Sequence, residues 1–215
     1  MTYADRREAG DKLAIHLAAH AGRPDVVVLG LVRGGVPVAA RVAAALAVPL
    51  DVLVVRKLGV PWAREVAFGA VGPNGVVVHN PEVESHLSPA EMKDVVDAET
   101  EELTRREEFY RRGRPPLSLA GQMAIIVDDG LATGATARAA AAVARRLSAT
   151  SVVVAIPVGA RDSVELLRSE ADEVVCPLVP DRFGAVSRFY RSFPQTSEEE
   201  VAALLRREPG AGGVR

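Results

Sequence analysis

Apolar residues in this chain fall into short continuous runs, and between the runs lie stretches of helical spacing. DVVVLGLV (25–32), DVLVVRKLG (51–59), IIV (125–127), SVVVAIPV (151–158) and EVVCPLV (173–179) are β-branched and unbroken. Runs of this kind predict strands covered on both faces. Residues 5–20 place Ala9, Leu13 and Leu17 on one helical face behind Asp5 in the N-cap position. Further helices are predicted over 36–46, 137–147 and DSVELLRSE, and over the charged segment 88–112, whose acids come early and bases late. LGVPWARE has no clear period and reads as a loop, while VAFGAVGPNGVVVHN reads as two short strands turning at Gly72-Pro73-Asn74-Gly75. Ser197 followed by Glu200 predicts a capped last helix.

Strands alternating with helices predict an α/β fold, a doubly wound and mostly parallel sheet joined by right-handed crossovers. One domain is expected over 1–208, with a helical insertion at about 88–112, a small hood from the terminal segments including a C-terminal flap at about 180–208, and a disordered tail at 209–215. Ligands of such sheets bind beyond the carboxyl ends of the strands. Three charged or glycine-rich segments are expected along that edge: Arg33-Gly34-Gly35, Arg56-Lys57 and Asp128 to Thr136.

Composition narrows the picture. A chain of 215 residues that is 48% hydrophobic can bury one substantial core. A formal net charge of −2 gives no overall basic field for nucleic acid, and the preponderance of Arg over the three lysines, Lys12, Lys57 and Lys93, carries little functional weight. Cys176 stands alone, so no disulfide can form within the chain, which suits a reducing cytoplasm. The N-terminal stretch lacks the apolar block of a signal peptide, and no apolar run approaches the roughly 20 residues needed to span a bilayer. The expectation is a soluble cytoplasmic protein without membrane or nucleic-acid partners.

The most informative stretch is IIVDDGLATGAT (125–136). A bare Asp-Asp-Gly is often only a solvated turn capping the next helix. Here the two acids end a buried strand, and two glycines and two threonines lead straight into an Ala/Arg helix. A loop of that kind presents several N–H groups and hydroxyls to one anion, and the helix dipole adds partial positive charge.

With these residues in place, the sequence resembles the type I phosphoribosyltransferases, over roughly residues 5–180. In that family a strand ending in two acids and a T-G-x-T loop bind 5-phosphoribosyl-1-pyrophosphate, and VDDGLATGAT fits the pattern without a gap. The resemblance implies that Asp128 and Asp129 bind the ribose hydroxyls and favour positive charge on the sugar as pyrophosphate departs. It implies that Gly130, Leu131, Ala132, Thr133, Gly134, Ala135 and Thr136 form the 5-phosphate loop. It assigns pyrophosphate to Arg33, Gly34 and Gly35 with Arg56 and Lys57, implies Mg²⁺ held mainly by substrate and water, and implies a homodimer. Arg56 and Lys57 would otherwise be read as solvated charges at a strand end.

The match departs from the family's 6-oxopurine enzymes at Ala132, where those usually carry an Asp that handles a proton on the base; Glu65 is a substitute only if it is more than a solvated loop residue. Phe183, Phe189, Tyr190 and Phe193 cluster after the last strand, where Phe183 or Tyr190 could stack on a base and ordinary packing is an equal explanation. GLATGAT lacks the lysine of a P-loop, GLVRGG is not a dinucleotide fingerprint, and no G-x-S-x-G elbow is present. His16 and His20 lie four apart on a helix without a companion ligand and read as surface residues rather than a metal pair. A non-catalytic regulator that binds the same donor or a nucleotide is the alternative; the presence of Arg33, Arg56 and Lys57 favours the enzyme.

Overall fold

The structure, a computed structural model, describes residues 2–206 apart from the side chains of Arg64 and Glu65. The tail expected at 209–215 and the acid-base role considered for Glu65 therefore lie outside the described residues. In chain order the elements are α1 (Arg6–Ile15), β1 (Val26–Leu31), α2 (Gly35–Leu46), β2 (Leu50–Leu53), β3 (Arg56–Val60), β4 (Ala63–Gly72) and β5 (Val76–His79). They continue with α3 (Pro81–Glu84), α4 (Pro89–Tyr110), β6 (Met123–Val127), α5 (Ala135–Arg146), β7 (Ser151–Ala155), α6 (Arg161–Leu167), β8 (Glu173–Val175) and α7 (Glu198–Arg206).

β2, β1, β6, β7 and β8 form, in that order, a sheet whose neighbours are all parallel. Alternation along each strand divides the core in two. Val26 and Val28 of β1, Ile125 and Val127 of β6, and Val153 of β7 pack with Leu13 of α1 and Val38 and Val42 of α2. Val27, Leu29, Ile126, Val152 and Val154 face the other way, onto Ala140, Val143 and Ala144 of α5 and Val164 and Leu167 of α6. Helices cover both faces, as the unbroken apolar runs require. Asp5 caps α1 as expected, its carboxylate accepting from the backbone N–H of Arg7 and Glu8 at 2.8 and 2.9 Å.

Two local expectations are corrected. DVLVVRKLG is not one strand: β2 ends at Leu53, and Arg56 opens β3 in a separate antiparallel sheet of order β3-β4-β5. An unbroken apolar run carries no mark of the point where the chain changes sheets. LGVPWARE is not a loop but the closed end of the β3-β4 hairpin, where register shifts at Leu58/Gly59 and Gly59/Val60 disturb the period of two.

The predicted insertion is a single helix, α4, opened by a complete capping box between Ser88 and Glu91. Leu103 and Tyr110 of α4 pack with Leu58 and Phe68 of the small sheet and with Val201 and Leu205 of α7. The stretch expected as one C-terminal flap thus has two placements. Residues up to about 194 lie near the N-terminus, where Tyr3 N–H donates to Phe189 O at 2.8 Å, while α7 joins the α4 cluster. Among the described residues no helix is long and apolar enough to cross a membrane.

The far end of α4 is fastened to β2 by charge. Arg111, 8% exposed, donates to both carboxylate oxygens of Asp51 at 3.1 and 3.0 Å. Arg114 donates to Leu50 O at 2.9 Å and to Leu205 O at 2.5 Å, so one turn of chain joins β2, α4 and α7. A bidentate pair at this burial stabilises only while both members are present. Asp51→Ala is expected to lower unfolding free energy by about 3–5 kcal/mol, read as a lower urea midpoint. The double variant Asp51→Leu/Arg111→Met should lose clearly less, because no unpaired charge stays buried.

Candidate active site

The sheet order places β1 and β6 side by side, with the chain leaving β1 toward β2 on one side and returning to β6 on the other. This is the point where the winding reverses, and the two carboxyl ends open a crevice there. The loop after β1 begins with a cis Val32–Arg33 peptide and passes through Gly34 into Gly35, the first residue of α2. The loop after β6 begins with Asp128 and Asp129.

The two loops touch. A Cβ placed on Gly34 would lie 2.1 Å from Oδ2 of Asp129, and one on Gly35 would lie 2.5 Å from Val127 O and 2.8 Å from Asp128 Cα. Only glycine permits this approach. The Gly34-Gly35 pair is thereby explained by contact with the acids.

Beyond the acids, Leu131 is buried and anchored on both sides, its N–H donating to Val158 O at 2.9 Å and its carbonyl accepting from Ala160 N–H at 2.9 Å. Ser163 Oγ donates to Ala132 O at 2.6 Å. Gly134 then takes φ +77° as the N-cap of α5, with no side chain capping that helix. Thr133, Ala135 and Thr136 are exposed. The amides of the first turn of α5 have no side-chain cap, and exposed threonines flank them, an arrangement suited to an anion.

The acids are not alike. Asp128 Oδ1 accepts from the Asp129 N–H at 2.9 Å. Burial and the neighbouring charge of Asp129 push the Asp128 carboxyl well above the usual carboxylate range. Asp129 is also raised by burial, but the Arg6 guanidinium opposes the shift. Arg6 Nε donates to Asp129 Oδ2 at 2.8 Å, with the side chains 10% and 15% exposed. Asp129 is thus no free loop carboxylate, contrary to its appearance in the sequence. Two carboxyls this close do not ionise together easily, and the cation decides which gives up its proton.

A strap of terminal residues closes over this pair. Arg191 and Ser192 N–H donate to Tyr3 O and Ala4 O at 2.8 and 2.9 Å. Tyr190 Oη donates to the backbone carbonyl of Asp129 at 2.6 Å, and its ring lies between Tyr3 and Phe193, with centroids at 5.5 and 4.7 Å. Burial, followed by the charge of Asp129, raises the Tyr190 phenol. Phe183 stacks on Phe189 at 5.5 Å. A Cβ on Gly130 would lie 2.4 Å from Val186 Cγ1, so the strap also rests on the loop after β6.

Arg56 and Lys57 stand apart from this constellation. Both line a cavity of about 670 Å³ between β3 and α4, with Glu91, Asp94 and Glu99, and Arg56 Nη2 is 2.6 Å from Glu99. Arg6 was missed from the sequence, whereas the strap joins the two terminal segments expected to form the hood. The available signal was a basic residue at the first position of a helix, where the dipole disfavours it. No group of three or more His, Cys, Asp or Glu side chains among the described residues could cage a metal.

A family model described as the phosphoribosyl transferase domain matches residues 3–193. Two curated relatives from Mycobacterium tuberculosis, named "Putative phosphoribosyl transferase" MT0597 (strain CDC 1551 / Oshkosh) and Rv0571c (strain ATCC 25618 / H37Rv), are each 54% identical over 205 residues, covering 94% of this chain and 46% of their own length. The chain thus spans about half the length of these relatives. The crystal structure of TT1426 from Thermus thermophilus is 42% identical, with a TM-score of 0.87 over 95% of this chain and 98% of its own. With a doubly wound sheet, an acid pair and an open helix N-terminus meeting at its switch point, and a family match over most of its length, the chain belongs to the phosphoribosyl transferase domain family.

Proposed function

We propose that this chain moves the 5-phosphoribosyl group from 5-phosphoribosyl-1-pyrophosphate to a nitrogenous base or related acceptor, releasing pyrophosphate. The observation that carries this reading is the meeting of Asp128 and Asp129 with the open first turn of α5 and the Gly34-Gly35 turn. A sugar phosphate needs hydroxyl acceptors at one end and anion donors at the other, and these loops offer both.

In this reading the acids bind the ribose 2- and 3-hydroxyls, Asp128 able to donate as well as accept when protonated. The backbone from Gly130 to Ala135 and the hydroxyls of Thr133 and Thr136 hold the 5-phosphate. The backbone of Arg33, Gly34 and Gly35 approaches pyrophosphate. The C1–O bond to pyrophosphate breaks, a C1–N bond to the acceptor forms, and the acceptor nitrogen releases a proton. As the sugar gains positive charge, the fixed Asp129 carboxylate stabilises it. Mg²⁺, if held mainly by substrate and water, would supply charge neutralisation on the leaving group. Arg56 and Lys57 would add to that neutralisation, which for Arg56 requires its pair with Glu99 to open. The acceptor would stack on Phe183, since both neighbours of the Tyr190 ring are already in place. Ala132 supplies no proton acceptor, which favours bases that do not need one there.

Calorimetric titration with the donor, followed by a mass-spectrometric screen of acceptors, tests the reading. Adenine-type and pyrimidine acceptors should respond ahead of hypoxanthine and guanine. Failure to bind the donor would sink the proposal, and binding without turnover across a broad panel would favour a regulator. Asp128→Asn should cut turnover on the order of 10²-fold.

The same variant carries a stability prediction. A carboxyl whose folded pKa lies above its unfolded value, about 3.9 for Asp, leaves the folded state holding more protons between the two values, so stability falls as pH rises through that window. Asp128→Asn removes this loss. It should melt no lower than the unsubstituted protein at pH 7, and its advantage should shrink as pH falls toward about 4.

A further inference from the structure

Arg6 makes three contacts in three directions. Its Nε donates to Asp129 Oδ2 at 2.8 Å, its Nη1 donates to Pro194 O at 2.6 Å, and its guanidinium carbon lies 3.8 Å from the centroid of the Phe193 ring. The oxygen it takes from Asp129 is also the one pressed toward Gly34, where a Cβ would lie 2.1 Å away, against 3.4 Å for Oδ1. One Asp129 oxygen is thus enclosed by α1, the strap and the glycine turn, and the other lies outside the Arg6 contact. Tyr190 fixes the same residue from its backbone side through the 2.6 Å bond to Asp129 O. A planar guanidinium can serve an edge acceptor, a second acceptor and a stacked ring at once, which an ammonium cannot.

We propose that Arg6 is the positioning residue of the acid pair: it commits one oxygen of Asp129 to the protein interior, presents the remaining Asp129 oxygen and Asp128 to the sugar, and ties the terminal strap to the site in the same contact. The inference rests on the phosphoribosyl reading for its catalytic consequence, but the contact itself can be tested without any substrate. The charged and titratable groups facing Asp129 are few. Asp128 comes from its own loop, Arg6 from α1 and the Tyr190 phenol from the strap, while the β1-α2 loop presents Gly34. Arg6 is the one cation in this set. It makes Asp129 the carboxylate of the pair and leaves Asp128 with the proton when only one is bound, in line with the opposing influence of Arg6 on Asp129.

The test uses the full chain labelled with ¹³C at the aspartate carboxyls, followed by NMR across a pH series for the unsubstituted protein, Arg6→Gln and Arg6→Lys. Loss of an adjacent cation should raise the Asp129 midpoint by about one unit or more in Arg6→Gln, with Arg6→Lys between the two. In parallel, kcat/KM for the donor should fall at least about tenfold in Arg6→Gln through kcat more than KM, with partial recovery in Arg6→Lys. Asp129 titrating alike in all three proteins would overturn the proposal. If Arg6→Gln does not fold, Arg6→Lys decides alone: a changed Asp129 titration with lowered kcat/KM supports positioning, and values equal to the unsubstituted protein overturn it. If the unsubstituted protein binds no donor, the phosphoribosyl reading fails, yet the NMR series still decides whether Arg6 governs Asp129.

Discussion

Two carboxyl groups on adjacent residues, at the end of a buried strand, repel each other and lose hydration together, and the surrounding structure offsets that cost from several sides. A backbone N–H reaches Asp128, a guanidinium reaches Asp129, and a phenol holds the backbone carbonyl of Asp129. None of these partners lies within the 128–136 loop except the Asp129 amide. The N-terminal helix and the segment after β8 must therefore both be in place before the acid pair is stable. Segments nearly the whole chain apart are paired for that reason, with Tyr3 and Ala4 bonded to Arg191 and Ser192.

The same constraint accounts for the glycines. Gly34 and Gly35 are packed against the acids so closely that a methyl group at either would collide with carboxylate or backbone. A turn that must fit beneath two carboxylates requires glycine. The charge of the pair is limited by the same arrangement, since Arg6 neutralises one acid and burial favours the protonated form of the other.

The central sheet was legible because its strands are covered on both faces and so appear as unbroken apolar runs; Val26–Leu31 and Met123–Val127 needed only their β-branched composition to be read. The 128–136 loop stood out because its acids, glycines and threonines are consecutive in the chain. What stayed hidden depends on distance or on a change of partner. Nothing in DVLVVRKLG marks Leu53 as the last residue of one sheet and Arg56 as the first of another. Asp129 looked like an exposed loop residue because its partner, Arg6, is 123 positions away. The aromatic cluster after β8 admitted both stacking on a base and packing, and for Tyr190 packing is what is seen, with a hydroxyl bond that composition could not disclose.

Arg56 and Lys57 mark the limit of reading a site from strand ends. Their place just after β2 made them natural partners of a leaving group, yet the side chains line a cavity with three acids of β3's neighbour α4, and Arg56 is paired with Glu99. A partly exposed pair of this kind contributes little to stability. The pair is better viewed as a resting position than as a fixed strut. By contrast Arg111 and Asp51, buried and bidentate, hold the other end of α4 to β2. One end of α4 is thereby fastened to the core sheet while the other faces the β3-β4 hairpin across an open cavity.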